Sequence, residues 1–280
     1  MGAHVISIVM PVFNSAPIVG ETIDRVLRTC QTEGWTAEVV AVNDGSTDGS
    51  ADVLRRCAGR HPAVRVIDLP RNGGQHAALL AGLREARGSV VVCMDDDLQH
   101  PPEAMPAMVR KVEEGHDAVF ARFAAPRHAA WRRPGSAMVR AMDRAVFGAP
   151  PGLSVSSYRA LRRDVVDRVC AYRGTTPYIR GQVLLACASP ANVDVEHHPR
   201  ASGQSGYSPG ALVALVLRVL LEWSPLPAVA ALLAGALLLL AGMKAAGAAP
   251  RAASVVAVAG ASLAASGLWL LVRRGGSGRP

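Results

Sequence analysis

Aromatic residues make up only 4% of this 280-residue chain, while half of it is apolar, so alanine, valine and leucine do most of the core filling. The five cysteines, Cys30, Cys57, Cys93, Cys170 and Cys187, are widely spaced and odd in number, and none forms a CxxC pair. That excludes a disulfide scaffold or a cysteine zinc finger and reads as reduced thiols of a cytosolic domain. There is no aromatic-interleaved basic stripe and no finger motif to support nucleic-acid binding, despite a formal charge of +8. Acid is nearly absent after residue 207, where one acidic residue stands against six basic ones, leaving 24 basic and 21 acidic residues before it. The basicity therefore belongs mostly to an apolar tail, a combination that suits anionic lipid. The apolar run at the start of the chain is short and is broken at Pro11, which does not suit a signal peptide, so the first domain is expected to be cytoplasmic.

What is present is a strand that stops abruptly in carboxylates: Val90-Val91-Val92-Cys93-Met94 runs into Asp95-Asp96-Asp97-Leu98-Gln99. Three adjacent anions cannot be buried cheaply, so they belong at the carboxyl end of the strand, where open α/β sheets bind ligands. If strand geometry persists, Asp95 and Asp97 project to the same side, and hard oxygens of this kind suit Mg²⁺ or Mn²⁺ with water and phosphate completing the shell. A metal-bound diphosphate is the expected guest.

Strand-like runs at 5–10, 38–42, 64–69, 89–94 and 118–121 alternate with helical patterns at 17–31, 49–59, 74–87 and 102–114. This is the βαβ pattern of a mainly parallel sheet, with turn-rich connectors after the strands gathering on one edge. Helices near 134–147, 162–172 and 176–187 and an extended run at 192–197 complete a first domain over 1–207. An amphipathic pattern over 208–225 suits an interfacial helix, with packing on the soluble domain as the alternative. Two uncharged apolar stretches, 226–243 and 252–272, are expected to form a transmembrane hairpin within 226–272, followed by a basic cytoplasmic tail at 273–280. Gly260, Ala264 and Gly267 allow close packing of that pair or of protomers in a homo-oligomer.

Four motifs fall in order along the first domain: Pro11-Val12-Phe13-Asn14, Val42-Asn43-Asp44-Gly45-Ser46-Thr47-Asp48-Gly49, Arg71-Asn72-Gly73-Gly74-Gln75-His76 and Asp95-Asp96-Asp97-Leu98-Gln99-His100-Pro101-Pro102-Glu103. Together they resemble the family 2 glycosyltransferases of GT-A fold, in the branch that uses polyprenyl phosphate. The resemblance implies an α/β fold with a mainly parallel sheet. It also implies an inverting, metal-dependent transfer of one sugar from a nucleotide-diphosphate sugar to a polyprenyl phosphate at the cytoplasmic face of the cell membrane. It assigns Pro11, Phe13, Ser15, Val42 and Asp44 to the nucleotide, Asp95, Asp97 and Gln99 to Mg²⁺ or Mn²⁺, and Asp96 to the nucleotide sugar. Asp48 caps the next helix or joins the site. Arg122 and Arg200 resemble diphosphate-contacting arginines, and Arg133 resembles a second anion-binding arginine. Asp97, Arg122, Arg133 and Arg200 are thus the expected catalytic groups, and His100 is expected to be an exposed loop residue. Rival readings are transfer to another lipid or to a polysaccharide, for which the QxxRW motif of processive synthases is missing, and a catalytically inactive nucleotide-sugar-binding membrane protein.

Overall fold

The computed structural model describes residues 5–123, 133–172 and 177–196, together with single helical positions at Val219, Trp223, Ala230, Ala234 and Ser262. The chain separates into two compact units, Met1–Ser136 with Asp143–Gly206, and Ala137–Met142 with Tyr207–Pro280. The expected interfacial helix and hairpin, and the extended continuation past residue 196, lie outside the described residues. Among the described residues no helix is long and apolar enough to cross a membrane.

The first unit is built on a seven-stranded sheet in the order β3-β2-β1-β4-β6-β5-β7. The strands are β1 (Val5–Val12), β2 (Thr36–Asn43), β3 (Val64–Asp68), β4 (Val90–Cys93), β5 (Ala118–Phe123), β6 (Arg159–Arg162) and β7 (Pro190–Val195). All neighbours pair in parallel except β6, which runs antiparallel to both β4 and β5. The helices are α1 (Val19–Thr32), α2 (Ser50–Arg60), α3 (Gln75–Glu85), α4 (Met105–Glu113), α5 (Arg133–Phe147), α6 (Arg163–Cys170) and α7 (Ile179–Ala186). The α/β architecture with a mostly parallel sheet is the one expected, while β6 was not anticipated.

Period-two alternation divides each central strand between two cores. Ile6, Ile8, Met10 and Val12 of β1, with Val90, Val92 and Met94 in and just beyond β4, face Val19, Ile23 and Val26 of α1. Val9, Val91 and Cys93 face the opposite core, with Leu79 and Leu83 of α3 and Val165, Val166 and Val169 of α6. Strands covered on both faces read as nearly continuous apolar runs, which is why β1 and β4 stand out in the sequence. The helices bury one stripe each, as in α1, where Val19, Ile23, Val26 and Cys30 recur at helical spacing.

Close packing at the amino end of β4 depends on Gly88. A Cβ placed there would lie 2.5 Å from the Ser7 backbone nitrogen and 2.6 Å from the Val5 carbonyl oxygen, and neither can move without shifting β1. Ser7 Oγ accepts the Gly88 N–H at 2.7 Å, and Arg163 Nη2 donates to the Gly88 carbonyl at 2.8 Å. Gly88→Ala is therefore expected to destabilise the fold by about 1–3 kcal/mol. In thermal unfolding this appears as a fall of several degrees, and an unchanged midpoint would show that the strand end is more yielding than the packing indicates.

Candidate functional site

The loops after β1, β2 and β4 lie at the carboxyl edge of the parallel strands, and antiparallel β6 begins at that same edge. After β1, Asn14 adopts a positive φ of 53° and locks two loops together. Its Oδ1 accepts the Thr47 N–H at 2.8 Å, and its own N–H donates to Ser46 Oγ at 3.1 Å. Gly45, at φ 68°, takes the left-handed turn that lets the Asn72 backbone approach closely.

Asp48 ties the start of α2 to the β1 loop: its carboxylate accepts the Ser50 N–H at 3.0 Å, the Ser50 hydroxyl at 2.5 Å and the Ala16 N–H at 3.0 Å. Desolvation raises its pKa, but the Ser50 and Ala16 hydrogen bonds outweigh it and hold the carboxyl below the usual range. Asp48 thus links the two loops and takes the N–H of Ser50, while Gly49 is the cap residue of α2. Asp44 is buried, with Oδ1 accepting the Gly73 N–H at 2.7 Å and Oδ2 the Gly74 N–H at 2.9 Å, so it shapes the glycine loop before α3. Pro11 and Val42 are paired in register and buried, whereas Phe13 is 47% exposed, the one exposed large apolar side chain among the described residues.

Regular β4 ends at Cys93, yet the alternation of burial continues beyond it. Asp95, Asp97 and Gln99 are half-buried, while Asp96, Leu98 and His100 are buried, and Leu98 turns the chain at φ 57°. Asp95 is gripped from several elements. Gln75 Nε2, at the start of α3, donates to Oδ1 at 2.7 Å, and Ser157 Oγ, just before β6, donates to Oδ2 at 3.0 Å. His100 Nδ1 accepts the Asp95 backbone N–H at 2.9 Å, which places the neutral ring's hydrogen on Nε2, 3.7 Å from Asp95 Oδ2.

The ring of His100 stacks on Tyr158 at 4.8 Å and on Phe123 at 5.5 Å between centroids, and the Tyr158 hydroxyl donates to the Pro101 carbonyl at 2.8 Å. The exposed loop residue expected at position 100 is therefore a buried brace for Asp95, because two aromatic rings and a backbone N–H leave it no path to solvent. Asp97 Oδ1 accepts the Gln99 N–H at 3.1 Å.

Asp96 sits deeper. Burial raises its pKa to about 7; a Ser15 hydrogen bond opposes the rise, and the charges of Asp95 and Asp97 add to it. Its Oδ2 is buried without a partner among the described residues, and its backbone carbonyl accepts from Thr22 Oγ1 at 2.9 Å.

Arg122 lies directly opposite Asp194 across β5 and β7 and grips it with two hydrogen bonds, Nε to Oδ1 at 2.5 Å and Nη2 to Oδ2 at 2.7 Å. Arg133 opens α5, its side chain lying outside the description, and Arg200 falls outside the described residues altogether. The structure thus gathers Ser15, Asp95, Asp96, Asp97 and Gln99 with the loops bearing Phe13 and Asp44. Gln75, Ser157 and the bracing role of His100 were missed in the sequence. Gln75 and His100 sit inside the motifs quoted above, but Ser157 carries no local signal.

The donor set fits a hard divalent cation. Among the described residues no three His, Cys, Asp or Glu side chains form a self-sufficient metal cage. Asp95, Asp97 and Gln99 are half-buried and carry hard oxygen atoms, donors of the type that Mg²⁺ or Mn²⁺ takes together with water and phosphate oxygens.

The carboxylate row lies at the loop-bearing edge of a mainly parallel sheet, where α/β domains bind their ligands. Residues 7–170 match the model "Glycosyl transferase family 2", and the chain belongs to that family. It is similar to the undecaprenyl-phosphate 4-deoxy-4-formamido-L-arabinose transferase of Pseudomonas syringae pv. syringae (strain B728a), with 37% identity over 75% of this chain and 63% of the relative. The protein of the same name from Pseudomonas paraeruginosa (strain DSM 24068 / PA7) is 36% identical over 72% of this chain and 60% of the relative. The chain thus spans less than two thirds of the length of these relatives. Among solved structures it is similar in fold to glucosyl-3-phosphoglycerate synthase from Mycobacterium tuberculosis in complex with Mn²⁺, UDP and phosphoglyceric acid. That match has a TM-score of 0.60 and 19% identity, covering 79% of this chain and 78% of that one.

His100→Ala removes both the backbone acceptor and the contact behind Asp95. If Asp95 holds Mn²⁺, as proposed below, loss of such an outer support is expected to weaken Mn²⁺ binding about 10–100-fold, measured by titration in the presence of UDP. His100→Asn, which can offer an oxygen to the same N–H, should recover part of the loss. Wild-type Mn²⁺ affinity in a folded His100→Ala protein would show that the brace does not orient Asp95.

Proposed function

We propose that this chain is a membrane-anchored glycosyltransferase that moves one sugar from a nucleotide-diphosphate donor to a polyprenyl phosphate, with inversion, at the cytoplasmic face of the cell membrane. The observation that carries the reading is the half-buried row Asp95, Asp97 and Gln99 at the carboxyl end of β4, the sheet edge that also bears the loops of Phe13 and Asp44. Its support from known proteins is the family match and the undecaprenyl-phosphate transferases among the relatives.

Phe13 offers the exposed ring on which a nucleotide base can stack. Asp44 and Asp48 hold the surrounding loops through backbone N–H groups, so the nucleotide pocket is pre-organised. Asp95 and Asp97, with Gln99, would hold Mg²⁺ or Mn²⁺, which supplies positive charge to the diphosphate leaving group. Asp96, buried between them, is assigned to the nucleotide sugar by the resemblance.

Arg122 is the cation on the described part of β5 that can reach a diphosphate by exchanging Asp194 for it. Both partners of that pair are well exposed, and exposed ion pairs are weak, so the exchange is easy. Arg133 and Arg200 are proposed as further phosphate contacts. Planar guanidinium groups match phosphate oxygens in pairs.

The acceptor accounts for the lack of any need for a general base. A phosphate monoester, with a second pKa of about 6, is largely dianionic at pH 7 and attacks without losing a proton. Positioning and charge stabilisation then supply most of the rate. The segments 208–225 and 226–272 are proposed as interfacial helix and membrane hairpin, with Gly260, Ala264 and Gly267 as a packing seam.

Incubation of the full chain with a panel of nucleotide sugars, Mn²⁺ or Mg²⁺ and undecaprenyl phosphate should yield a glycosylated lipid detectable by mass. Asp97→Asn should lower turnover by at least about a hundredfold while leaving folding and membrane partition intact, since it removes a charge that acts on the leaving group. Retained turnover in that variant would sink the assigned role, and consumption of a nucleotide sugar with no sugar on the lipid would sink the acceptor. Removal of 208–280 is expected to release the domain from membranes, and unchanged partition would reject the anchor.

A further inference from the structure

Four polar side chains form a row across the carboxyl edge of the sheet. Met94, Tyr158, Ala121, Phe123, Val193 and Val195 all pack into the core that holds α1. Side chains alternate along a strand, so their neighbours Asp95, Ser157, Arg122 and Asp194 share the opposite face.

Register sets the four side by side. Ser157 Oγ donates to Asp95 Oδ2 at 3.0 Å. The Ala121 N–H donates to the Tyr158 carbonyl at 3.0 Å, which carries the β5–β6 pairing past Phe120 and Arg159, so the next step sets Arg122 opposite Ser157. Arg122 in turn lies opposite Asp194. With neighbouring strands about 4.8 Å apart, the backbone of Arg122 stands about 10 Å from that of Asp95, with Ser157 between them.

The row has an acid at each end and one cation. Two neutral donors, Gln75 and Ser157, take the Asp95 oxygens, and the Arg122 guanidinium turns to the outer end, where Asp194 accepts from Nε and Nη2. Those two nitrogens form one edge of the guanidinium fork, and a phosphate gripped by that edge must displace the carboxylate. The Arg122 hydrogen bond holds the Asp194 carboxyl below the usual range, so it is ionised at neutral pH and competes for the arginine. The side chains are 49% and 73% exposed, and a pair so open to water is held weakly enough to part.

We propose that Asp194 is a positioning residue that competes with the diphosphate for Arg122. It holds the guanidinium at the outer end of the row while no diphosphate is present, releases it inward across Ser157 when the donor binds, and takes it back as the nucleotide leaves. The consequence is a looser grip on the nucleotide product than Arg122 would give without its partner. This rests on the donor reading above, in which Arg122 meets the diphosphate, and adds to it the group that limits how tightly the product is kept.

The test is a double-mutant cycle on the full chain in detergent with Mn²⁺, titrated calorimetrically with UDP, GDP and dTDP. Salt is kept at about 0.15 M, where direct repulsion between Asp194 and a nucleotide is largely screened beyond about 8 Å. Asp194→Asn keeps the shape and removes the competing charge, and its melting temperature should match wild type because both partners are exposed. It is expected to bind the nucleotide that wild type prefers about two- to fivefold tighter, the worth of an exposed ion pair. Arg122→Gln is expected to bind that nucleotide more weakly than wild type. Adding Asp194→Asn to Arg122→Gln should leave the affinity where Arg122→Gln put it, because Asp194 then has no arginine to hold.

Wild-type or weaker affinity in Asp194→Asn would overturn the inference, as would unaltered affinity in Arg122→Gln. An equal gain from Asp194→Asn in the Arg122→Gln background would also overturn it, since Asp194 would then be only a repelling charge. A wild-type protein that binds none of these nucleotides would instead remove the donor reading itself, and this inference with it.

Discussion

The orientation of the Asp95 carboxylate is the constraint around which the site is organised. An ionised side chain at a strand end would ordinarily turn into solvent, but here Gln75 from α3 and Ser157 from the approach to β6 donate to the carboxylate, while His100 from its own loop accepts the Asp95 backbone N–H and sets Nε2 3.7 Å from Oδ2. Each comes from a different part of the chain, so the sheet order fixes the carboxylate. Parallel β1 and β4 bring the donor loops to one edge, and antiparallel β6 delivers Ser157 and Tyr158 to that edge from the other direction. Tyr158 supports His100, and His100 supports Asp95. Rigid supports of this kind let a small set of groups act without reorganising.

Charge is distributed with the same economy. Three consecutive aspartates would repel strongly if all were ionised in one place, and burying the middle one raises its pKa to about 7. Asp95 and Asp97 remain half-buried on the side where a cation can approach, while Asp96 faces inward beside Ser15 and Thr22. The alternation of burial that separates them continues past the end of β4, where the chain bends and Leu98 takes a positive φ.

Much of the fold was legible because its strands are buried on both faces and its helices bury one stripe, so apolar periodicity distinguished them. β6 escaped because its four residues include Arg159 and Arg162, and a buried arginine disguises the alternation of Ala160 and Leu161. Losing β6 also hid Ser157, which meets Asp95 across 62 residues of sequence. His100 was misplaced because its neighbours Tyr158 and Phe123 are distant in sequence, and a histidine after polar residues carries no local sign of burial. The carboxylate row was readable because ionised Asp95 and Asp97 need a solvent-facing strand end, whereas the burial of Asp96 between them carries no sign in the sequence. By contrast, the engagement of Arg122 with Asp194 depends on the parallel register of β5 and β7, which no local pattern encodes.

The most direct test of the central claim is an anomalous-diffraction measurement on crystals of the protein soaked with Mn²⁺ and UDP. A single manganese peak within coordination distance of Asp95 and Asp97 carboxylate oxygens, with the Gln75, Ser157 and His100 contacts to Asp95 intact, is the predicted result. A nucleotide bound at this edge with manganese elsewhere, or with Asp95 turned away from its three supports, would contradict it.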